Sequence, residues 1–134
     1  MELQEVTPTV LLFQVRDPMR SAKIHRYLRS QSIRLIEVQN NDLHQSIGAD
    51  LGLPGIERNP SVYKGPEFEE EMLVMFGFQG SMMRNFLQFF RDEGLAPIAL
   101  KAVATPTNIF WTGLELYDAL KKERAYFQSR EHRQ

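Results

Sequence analysis

Apolar positions along the chain form four short runs, and the segments between them show helical periodicity. The run at residues 9–15 is almost continuously apolar, which is typical of a strand that is covered on both faces. The clearest helical segment places Met83, Phe86, Leu87 and Phe90 on one face. The pattern predicts strands at residues 9–15, 34–38, 72–77 and 98–104, each followed by a helix.

Local signals predict where several of these helices begin and end. Asp17 precedes Pro18, and an acidic N-cap followed by proline at the first helical position favours a helix start. Thr112 and Glu115 have the spacing of a capping box ahead of the last helix. Gly52 stands where a C-cap glycine ends a short helix.

Strands that alternate with helices predict an α/β fold with crossover connections. We expect residues 1–134 to form a single three-layer domain. Its sheet should be four-stranded and mainly parallel, with strand order 2-1-3-4 and helices on both faces. Residues 53–71, called the flap below, are rich in proline and glycine and predict an irregular loop. The polar residues 129–134 predict a frayed tail, and no internal repeat is apparent.

Composition excludes several classes of protein. The chain has no cysteine, which removes disulfides, thiolate nucleophiles and cysteine-ligated metal sites. Its three histidines lie far apart in no metal-ligand spacing, so we expect no metal and no cofactor. The N-terminus lacks the apolar region of a secretion signal, and no apolar run is long enough to span a membrane. We therefore expect a cytoplasmic protein.

Polar residues follow the predicted strands at their carboxyl ends. In a parallel sheet these ends share one edge, and ligands favour the crevice there. Helix N-termini behind this edge offer backbone amides to an anion. An alternative is that these residues only hold loop backbone and that the tryptophan plugs the core. The candidate ligand-binding residues are Asp17, Asn41, Gln79, Thr105, Thr107, Asn108 and Trp111, with Lys101 added if it faces the same edge.

Two helix surfaces are further candidates for contact with a partner. Met82 and Phe89 widen the apolar face of the third helix, which suits either a homodimer interface or a broad core contact. The first helix region is strongly basic, but its charges are spread around the helix and the net charge of the chain is −1. Pairing with the acidic flap residues, or plain solvation, is therefore favoured over nucleic-acid binding. The basic residues are Arg16, Arg20, Lys23, Arg26, Arg29 and Arg34.

The stretch from Leu100 to Leu116 contains Lys-Ala-Val-x-Thr-Pro-x-Asn-x-x-Trp, with its lysine at Lys101, its asparagine at Asn108 and its tryptophan at Trp111. It resembles a family of small bacterial proteins of unknown function that is marked by this motif. The resemblance covers roughly residues 72–125 and implies a compact cytosolic bacterial domain. Because the family has no established activity, the resemblance implies no particular function.

Three functional hypotheses remain open from the sequence. The leading one is a non-enzymatic binding or protein-interaction domain whose site lies at the carboxyl edge of the strands. The second is an enzyme or sensor acting on a small anionic metabolite, with Lys101 stabilising its charge. The third is a nucleic-acid-associated factor that uses the basic first helix. No phosphate loop, nucleophile elbow or metalloprotease motif is present, so no catalytic residue is assigned and the enzyme hypothesis has no positive support.

Overall fold

The computed structural model describes residues 6–131, which form an α/β fold around one four-stranded sheet. Short 3₁₀ helices at Asn40–Asp42 and Asn108–Phe110 precede the second and fourth helices. The predicted order of strands and helices is confirmed. The strands are β1 (Thr9–Phe13), β2 (Arg34–Val38), β3 (Met72–Phe76) and β4 (Leu100–Val103). The helices are α1 (Pro18–Ser30), α2 (Ile47–Leu51), α3 (Met82–Asp92) and α4 (Gly113–Glu131).

The sheet has the predicted order β2-β1-β3-β4 and is mainly parallel. β1 pairs with β2, and β3 with β4, in parallel, whereas the central pair of β1 and β3 is antiparallel. The carboxyl ends of β1 and β2 therefore lie at one edge of the sheet, and those of β3 and β4 lie at the opposite edge. The expectation that all four ends share one edge is wrong. The reason is that the flap delivers the chain to Met72 beside Phe13, so β3 starts where β1 ends.

Helices cover both faces of the sheet, which confirms the three-layer prediction. Side chains alternate along β1, so Leu12 points into the core beneath α1 and α3 while Leu11 points into the core beneath α2 and α4. β3 divides its side chains between the same two cores, with Leu73 on the first face and Val74 on the second. This double burial explains why both strands are continuously apolar in sequence.

The two halves of the chain repeat one arrangement about an approximate two-fold axis. Each half runs strand, helix, parallel strand, 3₁₀ helix and helix. α1 and α3 lie on the same face, and α2 and α4 lie on the other, as a two-fold axis through the sheet requires. Contacts between equivalent positions occur in all three layers: Tyr27 with Phe89, Leu11 with Val74, and Ser46 with Thr112.

Backbone details repeat at positions where the residues differ. Gln14 and Gly77 each follow the first strand of a half with positive φ angles of 66° and 76°. Ser32 and Gly94 each follow the first helix of a half with φ angles of 57° and 65°. Glycine adopts such angles at little cost, whereas glutamine and serine reach them only when the surroundings impose them. The sequence shows no internal repeat, whereas the fold does, because similar backbone arrangements are built from two different sets of residues.

The flap has no helix or strand, but contacts with the body occur near its end. Phe68 is buried, and its ring stacks on Tyr117 of α4 with the ring centroids 3.8 Å apart. Glu71 forms an ion pair with Arg20 of α1 at 2.5 Å. The expected pairing of basic α1 residues with acidic flap residues is confirmed for this pair. The end of the flap thus holds α1 and α4 to the sheet.

The last helix is longer than the sequence predicts. α4 continues to Glu131, so the first residues of the segment predicted as a frayed tail are helical. The rest of that segment, residues 132–134, lies outside the described residues, as do residues 1–5. Within residues 6–131, none of the helices combines the length and apolar character needed to cross a membrane.

Candidate functional site

The antiparallel centre of the sheet separates the predicted site residues into groups. Asp17 and Asn41 lie near the edge formed by the carboxyl ends of β1 and β2. The loops after β3 and β4 are at the opposite edge and carry the threonines, the glutamine and the asparagine. Lys101 is within β4, and Trp111 lies two residues before Gly113, the first residue of α4. No single crevice brings these residues together.

The edge at β1 and β2 contains a polar cavity of about 200 Å³ whose lining includes Gln14, Glu37 and Asn40. Neither predicted residue at this edge lines the cavity. The Asp17 carboxylate caps α1 by accepting a hydrogen bond from a first-turn backbone amide at 3.2 Å. The Asn41 carbonyl accepts from a flap amide at 3.0 Å. Both residues therefore have structural partners next to the cavity.

Asn108 and Thr105 hold the loop after β4. The Asn108 side-chain oxygen accepts from the Thr105 amide at 2.8 Å, and the Thr105 hydroxyl accepts from the Asn108 amide at 3.0 Å. The Asn108 side-chain nitrogen also donates to the Val103 carbonyl at 3.0 Å. These bonds occupy the buried Asn108 side chain within its own loop. Thr107 of the same loop and Gln79 of the loop after β3 are exposed.

The other end of this loop is fixed by a capping box and a β-bridge. The Thr112 hydroxyl accepts from the Glu115 amide at 3.1 Å and the Glu115 carboxylate accepts from the Thr112 amide at 2.9 Å, which confirms the predicted capping box. The amide that follows Ser46 donates to the Trp111 carbonyl at 2.8 Å. In the symmetric counterpart, the amide that follows Thr112 donates to the Gln45 carbonyl at 3.0 Å. The loop is therefore anchored to the first half of the chain.

This anchored loop presents two aromatic side chains to solvent. Phe110 is 66% exposed and Trp111 is 37% exposed. Trp111 was singled out from the sequence as a possible core plug or ligand wall, but Phe110 was missed. Adjacent aromatic residues just before a helix cap were the available signal, although sequence alone does not tell a buried pair from an exposed one.

The equivalent positions in the first half are covered. Gln45 occupies the bridge position equivalent to Trp111 and is 2% exposed. Its side-chain amide bonds both the carbonyl and the amide of Asn59 in the flap, each at 2.7 Å. The neighbouring His44, equivalent to Phe110, lies 2.9 Å from the Ser61 carbonyl. Flap residues thus cover His44 and Gln45 in the first half, whereas the equivalent Phe110 and Trp111 in the second half are exposed.

Helix length causes this difference. α2 contains five residues and ends at Gly52, whose left-handed φ of 74° turns the chain back over the 3₁₀ helix. α4 contains 19 residues and runs on without a glycine stop. Among the residues that the structure describes, no segment returns over Phe110 and Trp111.

Lys101 faces away from the loop after β4. It pairs in register with Leu73, whose side chain lies in the core beneath α1 and α3. The Lys101 ammonium donates to the Ile98 carbonyl at 2.7 Å, and its apolar surroundings lower the pKa of the lysine below its usual value. The condition for adding Lys101 to the predicted site is therefore not met. Together with Arg91 of α3, it lines a separate and mostly apolar cavity of about 310 Å³.

Most of the apolar face of α3 belongs to the core, although Met83 is 42% exposed. Phe89 is buried and stacks on Tyr27 at a ring-centroid distance of 4.5 Å. Met82 packs against the same core and is partly buried. Of the two interpretations given above, the broad core contact accounts for both Met82 and Phe89. The Phe89 ring is buried and therefore does not offer an exposed surface for a homodimer interface.

Ion pairs and hydrogen bonds occupy half of the basic first-helix residues. Arg20 is buried, and besides its ion pair it donates to the Ala96 and Pro97 carbonyls at 2.9 and 3.0 Å. Arg16 pairs with Glu67, and Lys23 lies 3.5 Å from Glu93. These contacts give the basic residues a structural role, with Arg20 joining the first half of the chain to the second.

One buried carboxylate lies beneath the flap. The Asp50 side chain is 3% exposed, and one of its oxygens has no hydrogen-bond partner among the described residues. Burial raises the pKa of Asp50 to about 7, although Arg58 lies 3.5 Å away. No group of three acidic or histidine residues within residues 6–131 is placed to hold a metal ion.

Residues 71–127 match the model of the family described as Domain of unknown function (DUF3783). No curated protein and no solved structure matches the chain. The match supports the resemblance to a family of unknown function, while the motif and the bacterial source stay predictions. The matched span contains β3, α3, β4 and most of α4, which together form the second half of the two-fold arrangement.

Proposed function

We propose that the chain is a non-enzymatic binding domain that takes an extended segment of a partner protein across Phe110 and Trp111. The observation that carries the proposal is the pair of exposed aromatic rings on an anchored loop. Rigid aromatic side chains lose little conformational entropy when they are covered, and they are enriched among the residues that dominate binding energy.

The way the flap covers the first half suggests how a partner segment binds the second. There the irregular flap crosses the equivalent positions and bonds His44 and Gln45 through its own backbone and polar side chains. A partner segment would cross Phe110 and Trp111 in the same way. Because these two positions are aromatic, the partner needs apolar or proline side chains in place of the polar ones that the flap supplies.

The remaining loop residues have distinct roles in this proposal. Thr105 and Asn108 keep the loop in one conformation and do not touch the partner. Thr107 is exposed on the same loop, so its hydroxyl is placed to hydrogen-bond the backbone of the partner. A preformed loop lowers the cost of association, since little chain is ordered on binding.

Selection of short peptides from a random displayed library against the full chain tests the proposal. Trp111 is the only tryptophan, so its fluorescence reports directly on the site. We expect selected peptides to shift this fluorescence and to bind the Phe110→Ser, Trp111→Ser variant at least about tenfold more weakly.

A second exposed aromatic pair provides the matched control. Tyr126 and Phe127 of α4 are 57% and 56% exposed. Replacing both with serine should leave peptide affinity unchanged. The proposal fails if no peptide is selected, or if the selected peptides bind the Phe110→Ser, Trp111→Ser variant as tightly as the parent.

A further inference from the structure

The approximate two-fold axis allows residues of the second half to be compared with counterparts in the first. The exception within the groove is the segment 96–99, because Ile33 directly precedes Arg34 whereas four residues separate Leu95 from Leu100. Ile33 and Leu95 occupy equivalent positions after α1 and α3. Each backbone amide donates to the carbonyl five residues earlier, at Leu28 and Phe90, with distances of 2.9 and 2.8 Å. Counting back from these positions makes Arg29 the counterpart of Arg91.

The same comparison extends to the rest of the helices and to the edge strands. Counting one turn further back makes His25 the counterpart of Leu87. In the sheet, Arg34 and Leu100 pair with the first residues of β1 and β3, so Leu35 is the counterpart of Lys101 and Glu37 that of Val103.

Side chains close the groove between α1 and β2. His25 of the helix and Glu37 of the strand approach to 3.4 Å across it. Leu35 packs against the core at the position where the second half has lysine. The first groove is therefore bridged by polar groups and packed by an aliphatic side chain.

The groove between α3 and β4 is open. Leu87 and Val103 replace the bridging pair, and Val103 is 47% exposed. Beneath them lies the cavity of about 310 Å³, at the lower end of the size range of small-molecule sites. Its apolar lining residues are Leu73, Leu87, Phe90, Leu95, Pro97 and Ile98.

Both charged residues that line this cavity are cations. Neither Lys101 nor Arg91 has an acidic partner within 4.0 Å among residues 6–131. The Lys101 ammonium makes one hydrogen bond, to Ile98, so two of its three donors are available to a ligand. An apolar cavity with two cations complements a molecule that has an apolar body and an anionic head.

We propose that the groove between α3 and β4 binds a small organic anion with an apolar body, such as a medium-chain carboxylate, whose head group is held by Lys101 and Arg91. The cavity volume corresponds to about ten water molecules, which is similar to the number of non-hydrogen atoms in octanoate. This site is distinct from the aromatic pair at Phe110 and Trp111 and does not depend on the proposed function.

Isothermal titration calorimetry of the full chain with octanoate tests this site. Acetate supplies the charge without the apolar body, and 1-octanol supplies the body without the charge. We expect octanoate to bind with one-to-one stoichiometry and both controls to bind at least about tenfold more weakly, since each lacks one of the two interactions.

Variants then locate the site. Lys101→Met and Arg91→Gln remove one charge each and should each weaken octanoate binding about tenfold. Arg29→Gln makes the same change as Arg91→Gln at the counterpart position and should leave affinity unchanged. Arg91 and Lys101 are both exposed, so both variants are expected to fold.

Three results would overturn the proposal. The first is the absence of octanoate binding at millimolar concentration. The second is equal affinity for octanoate and 1-octanol. The third is Arg91→Gln binding octanoate as tightly as the parent, or no more weakly than Arg29→Gln.

Discussion

The two grooves between a helix and an edge strand are built from equivalent elements, but their side chains differ and the second has four more residues, 96–99, between the helix and the strand. His25 and Glu37 bridge the first groove, whereas the equivalent Leu87 and Val103 leave the second open above a cavity. The loops before α2 and α4 differ in the same direction, because the flap covers the first and nothing described covers the second. The comparison teaches that a symmetric fold can place its exposed recognition features in one half, here the half that matches the family of unknown function.

The largest loss of stability is expected from replacing Arg20, which links the two halves of the chain. Its buried guanidinium joins α1 to Glu71 and to the Ala96 and Pro97 carbonyls of the second half. Arg20→Ala leaves these acceptors without their donor and should lower the free energy of unfolding by about 3 kcal/mol. Urea unfolding measures this, with the exposed Arg26→Ala as control, expected within about 0.5 kcal/mol of the parent. Equal effects for the two variants would contradict the structural role of Arg20.

The covered and uncovered loops should respond differently to truncation. Gln45→Ala removes a buried side chain and its two hydrogen bonds to the Asn59 backbone, so the free energy of unfolding should fall by about 1–3 kcal/mol. Phe110→Ala removes an exposed ring and should change it by no more than about 0.5 kcal/mol. Urea unfolding of both variants makes the comparison. A larger loss for Phe110→Ala would mean that its ring is covered in solution.

The buried Asp50 should make the free energy of unfolding depend on pH, whereas its counterpart in the second half cannot titrate. Its counterpart in α4 is the core residue Leu116, since each lies four residues after its helix cap. The pKa of Asp50 is raised to about 7 by burial and by the charge of Asp42, against the attraction of Arg58. The pKa of an unfolded aspartate is about 3.9, so the folded chain binds more protons between these values. Its free energy of unfolding should therefore fall by about 1 kcal/mol per unit as pH rises from about 4 to about 7.

The Asp50→Asn variant isolates this effect. It cannot titrate, so its free energy of unfolding should lack the loss that the parent shows between about pH 4 and about pH 7. Urea unfolding at several pH values compares the two proteins. Parallel pH profiles for parent and variant would show that Asp50 is ionised throughout, as an exposed aspartate is.

Exchanging side chains between the grooves tests how much the loop between α3 and β4 matters for binding. The triple variant His25→Leu, Leu35→Lys, Glu37→Val gives the first groove the side chains of the second. It still lacks counterparts of Pro97 and Ile98, which line the cavity, because the first half has no equivalent of the four residues before β4. Calorimetry with octanoate should therefore show a stoichiometry that stays at one. A stoichiometry of two would mean that the exchanged side chains alone open the first groove to the ligand.

Local signals in the sequence were sufficient for much of the fold. Asp17 before Pro18, the capping box at Thr112 and the glycine at Gly52 each act within a few residues, and the structure has all three. The apolar runs identified β1 and β3 most clearly, because burial on both faces leaves a continuous apolar pattern.

The direction of pairing between β1 and β3 depends on contacts that are far apart in sequence, so it could not be read from either strand. This mattered for the predicted site, because antiparallel pairing of β1 and β3 places the carboxyl ends of the strands at two opposite edges of the sheet. The side of β4 on which Lys101 lies was also open, because Leu100, Ala102 and Val103 are all apolar and give no alternation in sequence. In the structure Lys101 and Val103 lie on the exposed side. The exposure of Phe110 follows from the length of α4 and the lack of a returning segment, and neither is encoded near the ring itself.

The most direct test of the central claim is a two-dimensional proton–nitrogen NMR titration of the full chain with octanoate. This measurement reads both halves at once. The account predicts chemical-shift changes at the amides of Arg91 and Lys101, with the counterpart amides of Arg29 and Leu35 unchanged. Changes of equal size in both halves, or changes confined to the first, would contradict the claim that the second groove alone is open to a ligand.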